Sequence, residues 1–208
     1  MIPRGLFDKS VTHQTYLLRR SNGITRRVVG LLRDAERDIR AQLAVSEGLE
    51  NQARLQALLN DINNRIATLT KSVSAEVEGS LLELATYEAE NQVNALKSII
   101  PERVFVPVAP TTEALTAIVS NTPIRGEMFG AWIDRFERTT IDQYNQAIRI
   151  GVVQGESITD ITQRVKQVGE VRERAAEMLA RTGVNHVTNE ARQQTWAGNS
   201  DVVKGWVY

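Results

Sequence analysis

An apolar repeat with an eleven-residue period limits what this chain can fold into. Leu55, Leu58, Ile62, Ile66, Leu69, Val73 and Val77 follow steps of three, four and four, with Leu81 and Leu84 continuing the stripe, so that Leu55, Ile66 and Val77 stand eleven apart. That period keeps one seam in line along a nearly straight or slightly right-handed helix. The positions between are Asn, Gln, Thr, Ser and Glu. A helix with a single apolar stripe is marginal alone and needs a partner along its length. The preceding segment offers one: Val28, Leu32, Ala35, Ile39 and Leu43 form a second stripe at helical spacing. The expectation is an elongated antiparallel hairpin over residues 1–100, turning near Val45 to Leu49. A second copy of the chain, or another protein, is the alternative partner.

The distribution of charge agrees with that pairing. The formal net charge is +0, so no global field draws the chain to nucleic acid or to an anionic membrane. Met1 to Val45 carries nine basic and four acidic residues, whereas Ser46 to Ile100 carries four basic and eight acidic. Opposite signs on neighbouring helical segments favour packing one on the other. Arg19, Arg26, Arg33 and Arg40 recur every seven residues, making a ridge about 30 Å long on a continuous helix. Three readings of this ridge stay open: pairing with the acidic helix, contact with an acidic protein partner, and nonspecific contact with DNA phosphates. No aromatic residues stand among these arginines to stack bases.

Pro101 ends the second helix, and Val104-Phe-Val-Pro-Val108 reads as an extended arm or edge strand because of its internal proline. Thr111-Thr-Glu113 can cap a short helix to about Ser120, with a loop over 121–126. These make up a connecting region, 101–126. A third long helix is expected from about Glu127 to Gln154, with Phe129, Trp132, Ile133, Phe136, Tyr144 and Ile148 inward. Gly155 ends it, and Ser157 with Asp160 resembles a capping box. A helix to Val168, another from Glu170 to Trp196, and a β-like end over 202–208 complete a smaller helical domain, 127–208. The fold class is therefore mostly all-α.

Catalytic chemistry is not legible. The chain has no cysteine and only two histidines, which removes thiolate nucleophiles, disulfides and most zinc sites. His186 and Glu190 could share a helix face, but nothing nearby completes a three-ligand set. Phosphate-cradling glycine motifs are absent. No catalytic, cofactor-binding or metal residue is assigned, and no enzyme is expected in these residues. No apolar run approaches the roughly 20 residues of a membrane span, and the first residues lack a signal-peptide layout, so an intracellular setting is expected.

One polar stripe stands out. Arg181, Asn185, Asn189 and Arg192 fall at steps of four, four and three, which lines them along one helix face. They read either as a polar seam that meets something or as ordinary helix-to-loop hydrogen bonds. The stretch Arg181-Thr-Gly-Val-Asn-His-Val-Thr-Asn-Glu-Ala-Arg192, followed by Lys204-Gly-Trp-Val-Tyr208, resembles the C-terminal core of the Mu F-like family of phage minor head proteins, also called head-morphogenesis proteins. Upstream, Gly155-Glu-Ser-Ile-Thr-Asp-Ile161 resembles the element that precedes that core. The two together cover about a quarter of the chain. Gly183 departs from the pattern, since family members often carry Glu there.

The resemblance implies a role at the portal vertex inside the capsid, in head assembly or DNA ejection. It implies few copies, which could stand around the portal. It also implies contact with portal and other head proteins and with packaged DNA, and no membrane in the assembled head. Host cytoplasm would be the site of assembly. Arg181, Asn185, Asn189, Arg192 and Trp206 are the motif residues, and Arg19, Arg26, Arg33 and Arg40 are candidates for partner or DNA contact. Members typically continue into a small β-rich portion, so the native polypeptide is expected to extend past Tyr208. The alternatives are a nonspecific nucleic-acid-binding helical protein and the non-catalytic N-terminal part of a longer enzyme.

Overall fold

The computed structural model describes residues 4–203, with side chains described from Ser10 onward. It is all-α: α1 (Arg4–Ala44), α2 (Gln52–Ile99), α3 (Thr112–Asn121), α4 (Phe129–Val153) and α5 (Ile158–Ala197). The described residues contain no strand, only an isolated bridge between Ile124 and Glu127. The expected arm, Val104–Val108, is a turn residue followed by irregular chain. Asn199 holds it: its side chain donates to the Val108 carbonyl and accepts from the Val108 N–H, both at 2.8 Å. A carboxamide thus replaces a neighbouring strand there, so no sheet is needed. Of the β-like end, Val202 lies in a turn, and residues 204–208 fall outside the described residues.

Contacts divide the chain into two compact units, and the division runs across the helices rather than between them. One unit takes in the described residues to Ser21, Glu78–Phe129, and those from Arg181. The other takes in Asn22–Val77 and Gly130–Ala180. The sequence-based boundaries 1–100, 101–126 and 127–208 divide the chain differently. They followed chain order, whereas α1, α2 and α5 each contribute residues to both units.

Within the second unit, α1 and α2 pair antiparallel. Arg27 meets Glu76, Asp38 meets Arg65 and Gln42 meets Asp61, and the residue numbers of every pair add to 103. The core here joins Ile39, Leu43, Leu59, Ile62 and Ile66 to Tyr144, Ile148, Ile161 and Val165 of α4 and α5. Each such aliphatic side chain taken out of water contributes about 1.5–3 kcal/mol. Both predicted stripes are buried here except at Leu55 and Ala35, which are half-buried. Gly155, at φ 67°, stops α4. Ser157 then caps α5: its hydroxyl accepts the Asp160 N–H at 3.2 Å and donates to the Asp160 carboxylate at 2.6 Å.

The break expected at Gly169 does not occur; α5 is one helix of 40 residues. Gly169 is buried, and a Cβ there would overlap the Glu36 carboxylate. This glycine makes room for a neighbouring helix and does not end its own.

Within the first unit, Arg20 meets Glu83 and Tyr16 meets Tyr87, with residue numbers that again add to 103. Leu81, Leu84, Ala85, Ala89 and Val93 of α2 are buried, as are Val184, Val187 and Ala191 of α5. A Cβ on Gly183 would lie 3.1 Å from Leu81 Cδ1. A side chain at this place would press on Leu81, which would have to give by a few tenths of an ångström. α3 begins at Thr111, whose hydroxyl accepts the Ala114 N–H at 3.2 Å, and buries Leu115, Ile118 and Val119.

Candidate functional site

The first unit contains a buried charge cluster at the bottom of a cleft. Glu88 sits in α2 where the eleven-residue lattice, Leu55, Ile66, Val77, places its next core position, and it is fully buried (0% exposed). Removing a carboxylate from water is costly unless charge and hydrogen bonds compensate it. Three residues from three helices do so. His13 Nε2 of α1 lies 2.7 Å from Oε2, Arg192 Nε of α5 donates to Oε1 at 2.7 Å, and Gln92 Nε2, one turn along α2, donates to the same Oε1 at 2.7 Å. Gln92 is held in turn, because Trp196 Nε1 donates to its Oε1 at 3.0 Å. The Arg192 and Trp196 bonds both join residues 104 apart, so α5 runs parallel to α2 in this unit.

Aromatic rings close one side. His13 stacks on Tyr87 with centroids 5.6 Å apart at 20°, and Tyr16 lies 4.1 Å from Tyr87. Beside them opens a cleft of about 660 Å³, lined among others by His13, Tyr87, Asn91, Asn94, Arg192 and Trp196. Burial pushes the Glu88 carboxyl up. The close approach of His13 and the hydrogen bond from Arg192, with the charge behind them, outweigh that and hold it below the ordinary carboxylate range. Both ring nitrogens of His13 and Oε2 of Glu88 are buried without an aligned hydrogen bond among the described residues, so the 2.7 Å approach of Nε2 to Oε2 is a close electrostatic contact.

A second polar cluster belongs to the other unit. Glu36 is buried and takes a 3.3 Å contact from Arg40 Nη1. Arg33 clamps Glu173 through Nε at 3.0 Å and Nη2 at 2.9 Å. Burial lowers the Arg172 guanidinium from its usual range, with the neighbouring Tyr144 hydroxyl acting in the opposite direction. Tyr144 is itself raised by burial and then by Glu36. These groups tie α1, α4 and α5 together in this unit.

The predicted stripe divides. Arg181, Asn185 and Asn189 are exposed on α5, whereas Arg192 turns inward to Glu88. Trp206 lies outside the described residues. The arginine ridge also divides. Arg33 and Arg40 are engaged with Glu173 and Glu36, while Arg19 and Arg26 are exposed. Their neighbours Arg20 and Arg27 meet Glu83 and Glu76 of α2. His186 is half-buried, and the described residues contain no group of three or more ligand-type side chains placed for a metal.

Sequence reasoning missed Glu88, His13, Gln92 and Trp196 as a set. The signal for Glu88 was present: extending the Leu55, Ile66, Val77 lattice by one more step puts a carboxylate in the apolar seam. Nothing local marks His13 as its partner, because the two are joined only across the hairpin.

The fold and cluster together define an all-α protein whose helices are tied by buried ion pairs, with one open cleft beside such a pair. No protein-family model, curated protein or solved structure matches the chain.

Proposed function

We propose that this protein works by docking and not by bond-making. On the resemblance of Gly155–Ile161 and Arg181–Arg192, we propose further that it is a minor head component of a tailed phage. In that role it would attach at the portal vertex inside the capsid and assist head assembly or DNA ejection, with portal and head proteins as partners.

The observation that carries the docking reading is the division of the motif stripe. Arg192 serves the interior by compensating Glu88. Arg181, Asn185 and Asn189 are exposed along one side of α5, where carboxamides and a guanidinium offer directional hydrogen bonds to a partner surface. Such groups fix register and orientation more than they add raw affinity. Contact with packaged DNA is the lesser part of the proposal, since carboxylates already engage Arg33 and Arg40.

The test is to mix the purified chain with its candidate portal ring and size the product. Co-migration is expected, and its loss is expected in the triple variant Arg181→Ala, Asn185→Ala, Asn189→Ala at unchanged melting temperature. Failure of the unsubstituted chain to co-migrate under assembly-like salt overturns the portal assignment. Co-migration that survives the triple substitution overturns the role given to the stripe.

A further inference from the structure

A tight turn between α3 and α4 holds an arginine in a backbone conformation that arginine rarely adopts. Ile124 and Glu127 exchange both backbone hydrogen bonds: the Ile124 N–H donates to the Glu127 carbonyl at 2.9 Å, and the Glu127 N–H donates to the Ile124 carbonyl at 3.2 Å. Only Arg125 and Gly126 lie between them, at φ 53° and 85°. A two-residue loop with positive φ at both positions is the turn for which Asn-Gly or Asp-Gly is preferred. At the first position the arginine Cβ crowds the following carbonyl, which a short polar side chain tolerates better. Among the described residues Arg125 is the single non-glycine at positive φ.

No contact within the protein offsets that strain. The Arg125 side chain is exposed and makes no hydrogen bond or ion pair among the described residues. The turn beneath it is firmly seated, because Ile124 is 1% exposed. Strained residues persist where the surrounding structure over-determines them, and they gather at sites that clamp a ligand or partner. Here the strain sets the direction of a guanidinium at the tip of a short loop, so less backbone freedom is lost when something binds it.

The chemistry of that tip suits a protein carboxylate. A guanidinium is a planar fork that matches a carboxylate with two parallel hydrogen bonds. Beside it Pro123 is exposed and Met128 is 45% exposed, and arginine and methionine are both enriched in protein–protein contacts. Tracking a nucleic-acid backbone takes several cations, whereas this turn supplies one.

We propose that Arg125 is a docking contact for a carboxylate on a partner protein, held in place by the 124–127 turn. Its partner is the portal ring, so this contact rests on the function proposed above.

The experiment measures ring binding and urea unfolding for the unsubstituted chain, Arg125→Asn and, as a control, Arg103→Asn, at another exposed arginine. Asparagine suits the turn but removes the guanidinium. Arg125→Asn should therefore raise the urea midpoint while weakening ring binding about tenfold or more, and Arg103→Asn should leave binding within about twofold. Arg125→Asn that binds the ring as well as the unsubstituted chain does, or that lowers the midpoint, overturns the proposal and leaves the portal reading standing. Equal weakening by Arg103→Asn overturns it too, since general charge then explains the loss. A nonspecific DNA duplex that loses affinity for Arg125→Asn, with ring binding unchanged, would make phosphate the ligand and overturn it as well. Failure of the unsubstituted chain to bind the ring removes the portal reading and this contact with it.

Discussion

A carboxylate with no exposed surface must be held by groups that cost as much to remove as the carboxylate does. Glu88 is in that position, with His13, Arg192 and Gln92 around it. Breaking a buried pair from one side leaves the other charge uncompensated, at about 3–5 kcal/mol. Arg192→Ala should therefore lower the unfolding free energy by that order in a urea titration. Arg181→Ala, about three turns away on the exposed side of the same helix, should stay within about 0.5 kcal/mol. Equal effects from the two would contradict the division of the stripe. The pH dependence has a definite sign. Because the folded-state value of Glu88 is lowered, the unfolded chain takes up the proton first as the solution is acidified. The stabilisation is thus complete above the ordinary carboxylate range and is lost as pH falls through the lowered value. Glu88→Gln should flatten that part of a stability-against-pH curve, and an unchanged acid limb would count against the assignment.

At the scale of the element, the glycines separate packing from propensity. Gly169 stands against Glu36 with no room for a Cβ. Gly169→Ala should cost about 1–3 kcal/mol through overpacking, even though alanine is the better helix former. Gly79 lies in the interior of α2, exposed, with nothing within 4 Å of an added Cβ. Gly79→Ala should accordingly stabilise by about 0.5–1 kcal/mol. Thermal melts of the two variants should move in opposite directions; a shift of the same sign would mean that propensity, not space, rules at Gly169. The same pair shows how far periodicity could be read. The α2 stripe was legible because burial repeats with the helix. The continuity of α5 was not, because a glycine inside a helix and a glycine ending one look alike until the neighbouring helix is in place.

At the scale of the whole molecule, pairing absorbs much of the charge asymmetry between the first two segments. Arg20 and Arg27 reach Glu83 and Glu76, and Arg33 reaches Glu173 on α5, a partner outside the acidic segment. With Arg33 and Arg40 engaged, Arg19 and Arg26 are the exposed members of the ridge left to release counterions from a duplex. A salt titration of binding to nonspecific DNA should give a shallow slope, corresponding to about two phosphate contacts or fewer. A slope near four would restore the full arginine ridge as a phosphate track. Exposed pairs of this kind contribute little individually, about 0–1 kcal/mol, so they select register more than they stabilise it.

What the amino-acid order determined by itself is local and periodic: the hairpin of α1 and α2, the inward face of α4, the stop at Gly155, the caps at Thr111 and Ser157. Each follows from a repeat or from a short-range hydrogen bond, and both are written in neighbouring residues. Tertiary structure decided the rest: the Glu88 cluster, the space at Gly169 and Gly183, and the inward turn of Arg192 away from its stripe. It also decided that the compact units cut across the helices. The reason is distance along the chain. His13, Glu88 and Arg192 are separated by 75 and 104 positions, and only packing of three helices brings a buried charge to its counter-charges.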